Sequence, residues 1–197
     1  MAVQPCHKGR PNRARDRDNG DLFSVKKLVR SFSRPADAFV DLANRAEVIN
    51  TILRFAENDL LCYRAHQPPE LAARQRDGWD PLLEWVRQRH GAQMRVAAGL
   101  THVDQAPQAL LALRQALEAQ SQFALGALHV IASITGSAVL ALAVADEFVS
   151  GSDAFALSRI DETYQAEKWG EDAEAARRTS NLAHELDKAV ELMVASR

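Results

Sequence analysis

The chain has 197 residues, of which 47% are hydrophobic and 25% are charged, so it can form one domain with a substantial core. Its formal net charge of −2 excludes the strongly basic composition that is typical of proteins binding nucleic acid or anionic membranes. The two cysteines, Cys6 and Cys62, lie in unrelated contexts, which argues against a disulfide framework and indicates a reducing compartment.

Basic residues are concentrated at the N-terminus, among few large apolar side chains. They are His7, Lys8, Arg10, Arg13, Arg15, Arg17, Lys26, Lys27, Arg30 and Arg34. This segment lacks the uninterrupted apolar core of a secretory signal, and Asp16, Asp18 and Asp21 interrupt it, unlike a mitochondrial transit peptide. We therefore predict a basic disordered tail over residues 1–35 and a helical domain over residues 36–197.

Two amphipathic helices and a short strand are predicted in the next part of the chain. Apolar residues over positions 38–56 follow steps of three and four, which predicts the first helix. Residues 60–64 are short and apolar enough for a strand or a buried extended segment. A second helix begins at Pro69 or Glu70 and ends near Gly91, and Pro81 either kinks this helix or restarts it.

Residues 94–103 lack helical periodicity, so we predict a strand there that pairs with residues 60–64. Pro107 opens a third helix, which faces inward with Leu110, Leu113 and Leu117. A buried central helix over residues 123–148 follows, and it carries no charged residue from Ala124 to Ala145. Its small residues recur every fourth position, on a stripe that a neighbouring helix can approach: Ser133, Ser137, Ala141 and Ala145.

A single membrane span over residues 124–145 is an alternative for the same segment. Its aliphatic residues favour insertion by about 3–5 kcal/mol in total. His129 and several hydroxyl side chains oppose insertion, which brings the balance near zero. No aromatic belt or basic cluster brackets the segment, so a helix in a protein core is favoured and no membrane insertion is predicted.

The C-terminal part of the sequence predicts two further helices. Ser152 is expected to cap the first, whose buried stripe contains Leu157, Ile160 and Tyr164. Gly170 suits the left-handed position that ends a helix. The first turn of the last helix is acidic, and its buried face carries an apolar set: Leu182, Leu186, Ala189, Val190 and Met193.

The motifs of catalysis are weak in this sequence. It has no glycine-rich phosphate loop and no pair of histidines at metal-ligand spacing, so no catalytic residue, metal or cofactor is predicted. Cys62 and His66 lie four residues apart, which leaves a cysteine-dependent hydrolase as an alternative. A stripe formed by Ser158, Glu162, Gln165 and Trp169 suits a protein-binding surface better, and it favours a binding protein over an enzyme.

Several segments, in order, resemble the assembly-chaperone family that protects the alpha subunit of the F-type ATP synthase. They are DLLCYRA from Asp59, ARQ from Ala73, WDPLL from Trp79, TGS from Thr135, SRIDE from Ser158 and WGED from Trp169. The similarity runs from about Phe39 to the C-terminus. It implies a small N-terminal α/β domain, which is largely missing here, before a mainly α domain of about five to six helices with one or two short strands around the central helix.

The resemblance also implies a function and a site. The function is a non-enzymatic molecular chaperone that binds unassembled alpha subunit before it joins beta, acts as a monomer and binds no nucleic acid. A bacterial cytoplasm is favoured, with the mitochondrial matrix as the alternative. The residues that match the motif and are expected to bind the partner are Asp161, Glu162, Glu167, Trp169, Gly170, Glu171 and Asp172. Glu162 and Glu167 would offer charge, Trp169 would anchor the partner, and Gly170 would set the angle between the last two helices.

Overall fold

The computed structural model describes residues 44–99, 101–170 and 172–196. The predicted N-terminal tail and the first turn of the first predicted helix lie outside these ranges. Within them the chain is mainly α, as predicted, with eight α-helices and one small parallel sheet of two strands. No helix in the described ranges is long and apolar enough to cross a membrane.

The elements follow the predicted order with sharper limits. They are α1 (Arg45–Glu57), a 3-10 turn (Leu60–Cys62), β1 (Tyr63–Arg64), α2 (Pro69–His90), β2 (Ala97–Ala98), α3 (Pro107–Glu118), α4 (Gln122–Thr135), α5 (Ala138–Ala145), α6 (Gly151–Ser158), α7 (Ile160–Trp169) and α8 (Ala173–Ala195). Helix α2 continues through Pro81 and ends at Gly91, whose φ of 75° is left-handed. This continuity removes the alternative in which Trp79-Asp80-Pro81 restarts the helix.

The predicted pairing of residues 60–64 with residues 94–103 is confirmed, although the strands are short. Tyr63 lies opposite Ala97, and Arg64 lies opposite Ala98, in parallel register. The residues before β1 are not extended, because the side chain of Asp59 accepts a hydrogen bond from the Leu61 backbone N–H at 3.1 Å and caps the 3-10 turn.

The prediction of one continuous central helix over residues 123–148 is wrong. Helix α4 ends at Gly136, which has a φ of 69°, and Ser137 starts α5 by accepting a hydrogen bond from the backbone N–H of Leu140. The break also ends the small-residue stripe, since Ser133 is exposed while Ser137 is buried. The buried character is correct, because α5 is buried on every side from Ala138 to Val144 and α4 packs between α1 and α8.

A second break divides the penultimate predicted helix. Ser150, not Ser152, caps α6 by accepting a hydrogen bond from the backbone N–H of Asp153, because the helix begins two residues earlier than expected. The helix then stops at Arg159, where φ is −112° and ψ is 18°, and α7 begins at the next residue. These two breaks explain why eight helices replace the predicted five to six.

Asp59 is a fully buried carboxylate that joins the early part of the chain to the central break. Besides capping the 3-10 turn, it accepts a hydrogen bond from the Val139 backbone N–H at 3.1 Å, in the first turn of α5. The backbone N–H of Leu60 binds the carbonyl of Gly136 at 3.1 Å. Burial raises the pKa of Asp59 from 3.8 to about 6, although hydrogen bonds from Ser137 and from backbone N–H groups act to lower it.

This raised pKa predicts a pH-dependent stability. The folded state holds the Asp59 proton more tightly than the unfolded state does, so protonation stabilises the fold fully below about pH 4, and this contribution is lost as the pH rises through about 6. In the Asp59→Asn variant this group does not titrate. Between about pH 4 and pH 7, the free energy of unfolding of the wild type should therefore fall relative to the variant by up to about 3 kcal/mol. Denaturant titration at each pH measures this difference. If the free energies of unfolding of the two proteins change in parallel with pH, the pKa of Asp59 is not raised.

The break at Gly136 predicts a second stability effect. A Cβ at this position would have ordinary contact with Leu60, at 3.9 Å, so a substitution meets backbone strain rather than a clash. Gly136→Ala should lower the free energy of unfolding by about 1–2 kcal/mol, because alanine disfavours the left-handed region. Gly136→Asn is the matched control, and its free energy of unfolding should fall by less, since asparagine tolerates the left-handed conformation. Equal stability of the alanine variant and the wild type would show that the break does not need a left-handed residue.

Candidate partner-binding surface

An exposed tryptophan stands over a groove between α7 and the start of α8. Trp169 ends α7 and is 79% exposed, the largest exposed fraction among the big hydrophobic residues of the described ranges. The groove has a volume of about 650 Å³. Its lining comes from both helices and the turn between them: Arg159, Glu162, Thr163, Gln165, Ala166, Glu167, Trp169, Gly170, Asp172, Ala175, Ala176 and Thr179.

Arg159 connects Glu162 to the end of α4. Its Nη1 donates to Glu162 Oε1 at 2.8 Å, and its Nη2 donates to the carbonyl of Ile134, in the last turn of α4, at 2.9 Å. The guanidinium also lies 5.3 Å from the centre of the Phe155 ring. Glu162 is thereby oriented at the rim of the groove, while its side chain keeps 58% of its surface exposed.

A different face of α7 is bound to α2 through a buried glutamine. Gln75 donates from Nε2 to Asp161 Oδ1 at 2.6 Å, and its Oε1 accepts a hydrogen bond from the Ala65 backbone N–H at 2.7 Å. Only 1% of Gln75 is exposed. Asp161 is absent from the groove lining, and its described contact is with the scaffold.

A second polar contact fixes the other end of α7. Arg74 binds Glu167 at two points, Nη1 to Oε1 at 2.9 Å and Nη2 to Oε2 at 2.7 Å. These hydrogen bonds hold the pKa of Glu167 below its usual range. The Arg74 guanidinium also lies 5.3 Å from the centre of the Tyr164 ring. The charge of Glu167 therefore has a partner within the protein, Arg74, which itself packs on α7.

Close packing places α2 directly against the junction of α6 and α7. The Trp79 indole Nε1 donates to the carbonyl of Leu157 at 2.8 Å. A Cβ added at Gly78 would lie 2.9 Å from Leu157 Cδ2 and 3.0 Å from Ile160 Cδ1, so a larger residue here would require these two side chains to shift. Helix α2 therefore packs closely against the end of α6 and the start of α7.

The turn between α7 and α8 contains the last predicted site residues. Gly170 has a φ of 91°, which is positive as predicted, but its ψ of 159° is extended, so the predicted left-handed conformation is wrong. Asp172 caps α8 by accepting hydrogen bonds from the backbone N–H groups of Glu174 and Ala175, at 3.3 and 3.4 Å. Glu171 lies outside the described residues.

The structure thus brings five of the predicted residues to one groove: Glu162, Glu167, Trp169, Gly170 and Asp172. Ser158, which was expected on the same stripe, instead ends α6 and is buried. Sequence reasoning missed Ala175, Ala176 and Thr179 of α8, although Ala175 and Thr179 follow the predicted Asp172 at helical spacing. It also missed Arg159 and Gln75, whose partners lie 25 and 86 residues away in the chain.

The alternative site at Cys62 has the properties of a structural thiol. Cys62 is fully buried, and burial raises the pKa of the thiol far above its usual value. A thiol that stays protonated is a poor nucleophile, which disfavours a cysteine-dependent hydrolase. In the part of the chain that the structure describes, no group of three or more histidine, cysteine and acidic residues could hold a metal ion.

Comparison with known proteins agrees with this architecture. The sequence model of the ATP12 chaperone protein family matches residues 24–87. The crystal structure of Atp12 from Paracoccus denitrificans is 31% identical over 90% of this chain and 72% of that chain, with a TM-score of 0.76. This chain belongs to the ATP12 family.

Two other solved structures extend the comparison with the ATP12 family. A mutant of the P. denitrificans Atp12 is 29% identical, and the match covers 100% of this chain and 77% of that one with a TM-score of 0.77. A candidate chaperone from Agrobacterium tumefaciens is 39% identical over 79% of this chain, with a TM-score of 0.76. The match covers only 59% of the A. tumefaciens chain, so this chain spans less than two thirds of that protein's length.

The buried glutamine generates a test of how α7 is held. Gln75→Ala leaves the Ala65 N–H and the Asp161 carboxylate without this partner, so the free energy of unfolding should fall by about 2 kcal/mol. Gln88→Ala, on the exposed side of the same helix, is the matched control and should change it by less than about 0.5 kcal/mol. Denaturant titration compares the two, and equal losses would show that Gln75 does not secure α7.

Proposed function

We propose that this chain is a non-enzymatic chaperone of ATP synthase assembly. It binds the unassembled alpha subunit through the groove between α7 and α8 and keeps that subunit from aggregating before it joins beta. The observation that carries the proposal is the exposed indole of Trp169, which lines the same groove as Glu162. On this proposal the protein acts as a monomer in a bacterial cytoplasm and needs no cofactor or nucleic acid.

The energetics of the surface support reversible protein binding. A tryptophan side chain covers about 150–250 Å² in a contact, which corresponds to about 4–6 kcal/mol of apolar burial before the costs of association. Because α7 is fixed to α2 by Gln75 and Arg74, little ordering of the helix is needed when a partner binds. One rigid aromatic anchor with a polar rim suits a chaperone, which must later release its client.

The proposal predicts the result of a double substitution. Replacing Glu162 and Trp169 with alanine should reduce co-purification of alpha subunit at least about tenfold, because the anchor and its neighbouring charge are both lost. The melting temperature should stay within about 2 °C of the wild type, since both side chains are mostly exposed and contribute little to folding. Pull-down from a lysate lacking assembled ATP synthase measures the first effect, and a thermal melt measures the second.

Leu111→Ala is the matched control. Leu111 is 56% exposed on α3 and does not line the groove, so its loss should leave alpha-subunit retention unchanged. Normal retention by the double variant would contradict the proposed surface. A collapse of its thermal melt would assign both residues a structural role instead.

A further inference from the structure

The groove has a second wall on α8 that the sequence motif does not include. Helix α8 contributes Ala175, Ala176 and Thr179 to the groove, and α7 contributes Ala166. All four side chains are small, so they leave room for a larger side chain in the groove. The exposed Trp169 indole lines the same groove, so it adds a large aromatic surface to these small side chains.

The carboxylates of the groove differ in the partners that they already have. Among the described residues three carboxylates line it, of which Glu167 is bound at two points by Arg74 and Asp172 accepts hydrogen bonds from its own helix. Glu162 is shared with Arg159, whose guanidinium also binds a carbonyl of α4. The Glu162 side chain is 58% exposed, against 46% for Glu167, and Arg159 contacts it at Oε1, so its other oxygen can accept a contact from a cation on a partner.

The spacing of the two outward residues sets the geometry of a partner. Glu162 and Trp169 both lie in α7 and are seven residues apart, which corresponds to about 10.5 Å along the helix axis. A partner helix lying along the groove presents residues at the same interval two turns apart. When an apolar side chain of that partner helix lies near Trp169, the side chain seven positions away in the same helix lies near Glu162.

We propose that the groove binds an amphipathic helix of the client that carries a leucine-sized apolar residue and a lysine or arginine seven positions apart. The apolar side chain enters between Ala166 and Ala176 beside the Trp169 indole, and the cation contacts Glu162. This inference rests on the proposed function for the identity of the client. The chemistry of recognition, an apolar anchor and a cation at fixed spacing, follows from the groove.

A substitution that fills the groove tests the second wall. Ala176→Leu keeps a good helix former at the position but occupies the space for the apolar side chain, so alpha-subunit retention should fall at least about tenfold with an unchanged thermal melt. Ala156→Leu, at an exposed position of α6 outside the groove, is the matched control and should retain the alpha subunit normally. Normal retention by Ala176→Leu, alongside loss in the Glu162 and Trp169 double variant, would overturn the groove and leave the chaperone function standing.

Synthetic peptides test the chemistry without the alpha subunit. The probe is a helical peptide of 14 residues with one leucine and one arginine seven positions apart, titrated against the full chain. The emission of Trp169 is the difference between the fluorescence of the wild type and that of the Trp169→Phe variant. On binding of the peptide, this emission should shift to shorter wavelength and become less sensitive to quenching by acrylamide. Peptides with serine for leucine, or glutamate for arginine, should bind at least about tenfold more weakly. Equal binding of all three peptides, or a Trp169 already shielded in the free chain, would overturn the proposal.

Discussion

A buried carboxylate at the centre of the molecule determines where the long apolar run divides. Asp59 accepts hydrogen bonds from the 3-10 turn and from Val139, at the start of α5, and so fixes the break at Gly136. Because α4 ends there, a carbonyl in its last turn is available to accept from Arg159. Arg159 in turn orients Glu162, so the geometry of the proposed binding surface depends on an interaction at the centre of the core.

The acidic residues of α7 divide into two groups by the partners they meet. Asp161 and Glu167 bind Gln75 and Arg74 on α2 and hold the helix in place. Glu162 keeps most of its surface exposed at the groove, where three small side chains of α8 form the other wall. A rigid scaffold on one side and an open groove on the other allow the surface to bind a partner without large rearrangement.

The sequence was sufficient for features that local chemistry determines. Pro69 and Gly91 limit α2 correctly, because proline favours the first helical turn and glycine the left-handed end. The break at Gly136 could not be predicted, since an apolar run that is buried on every side has no periodicity to interrupt. The burial of Asp59 and its contact with Val139, 80 residues away, arise only from the tertiary fold.

The proposed surface requires that the end of α7 contacts the alpha subunit directly. The most direct measurement places the photo-crosslinking residue benzoylphenylalanine at Trp169 in one chain and at the exposed Leu111 in another, then irradiates each in a lysate containing unassembled alpha subunit. If Trp169 lies in the binding surface, position 169 should give a covalent adduct with alpha subunit and position 111 should give none. An adduct from position 111 alone, or from neither position while alpha subunit still co-purifies, would contradict it.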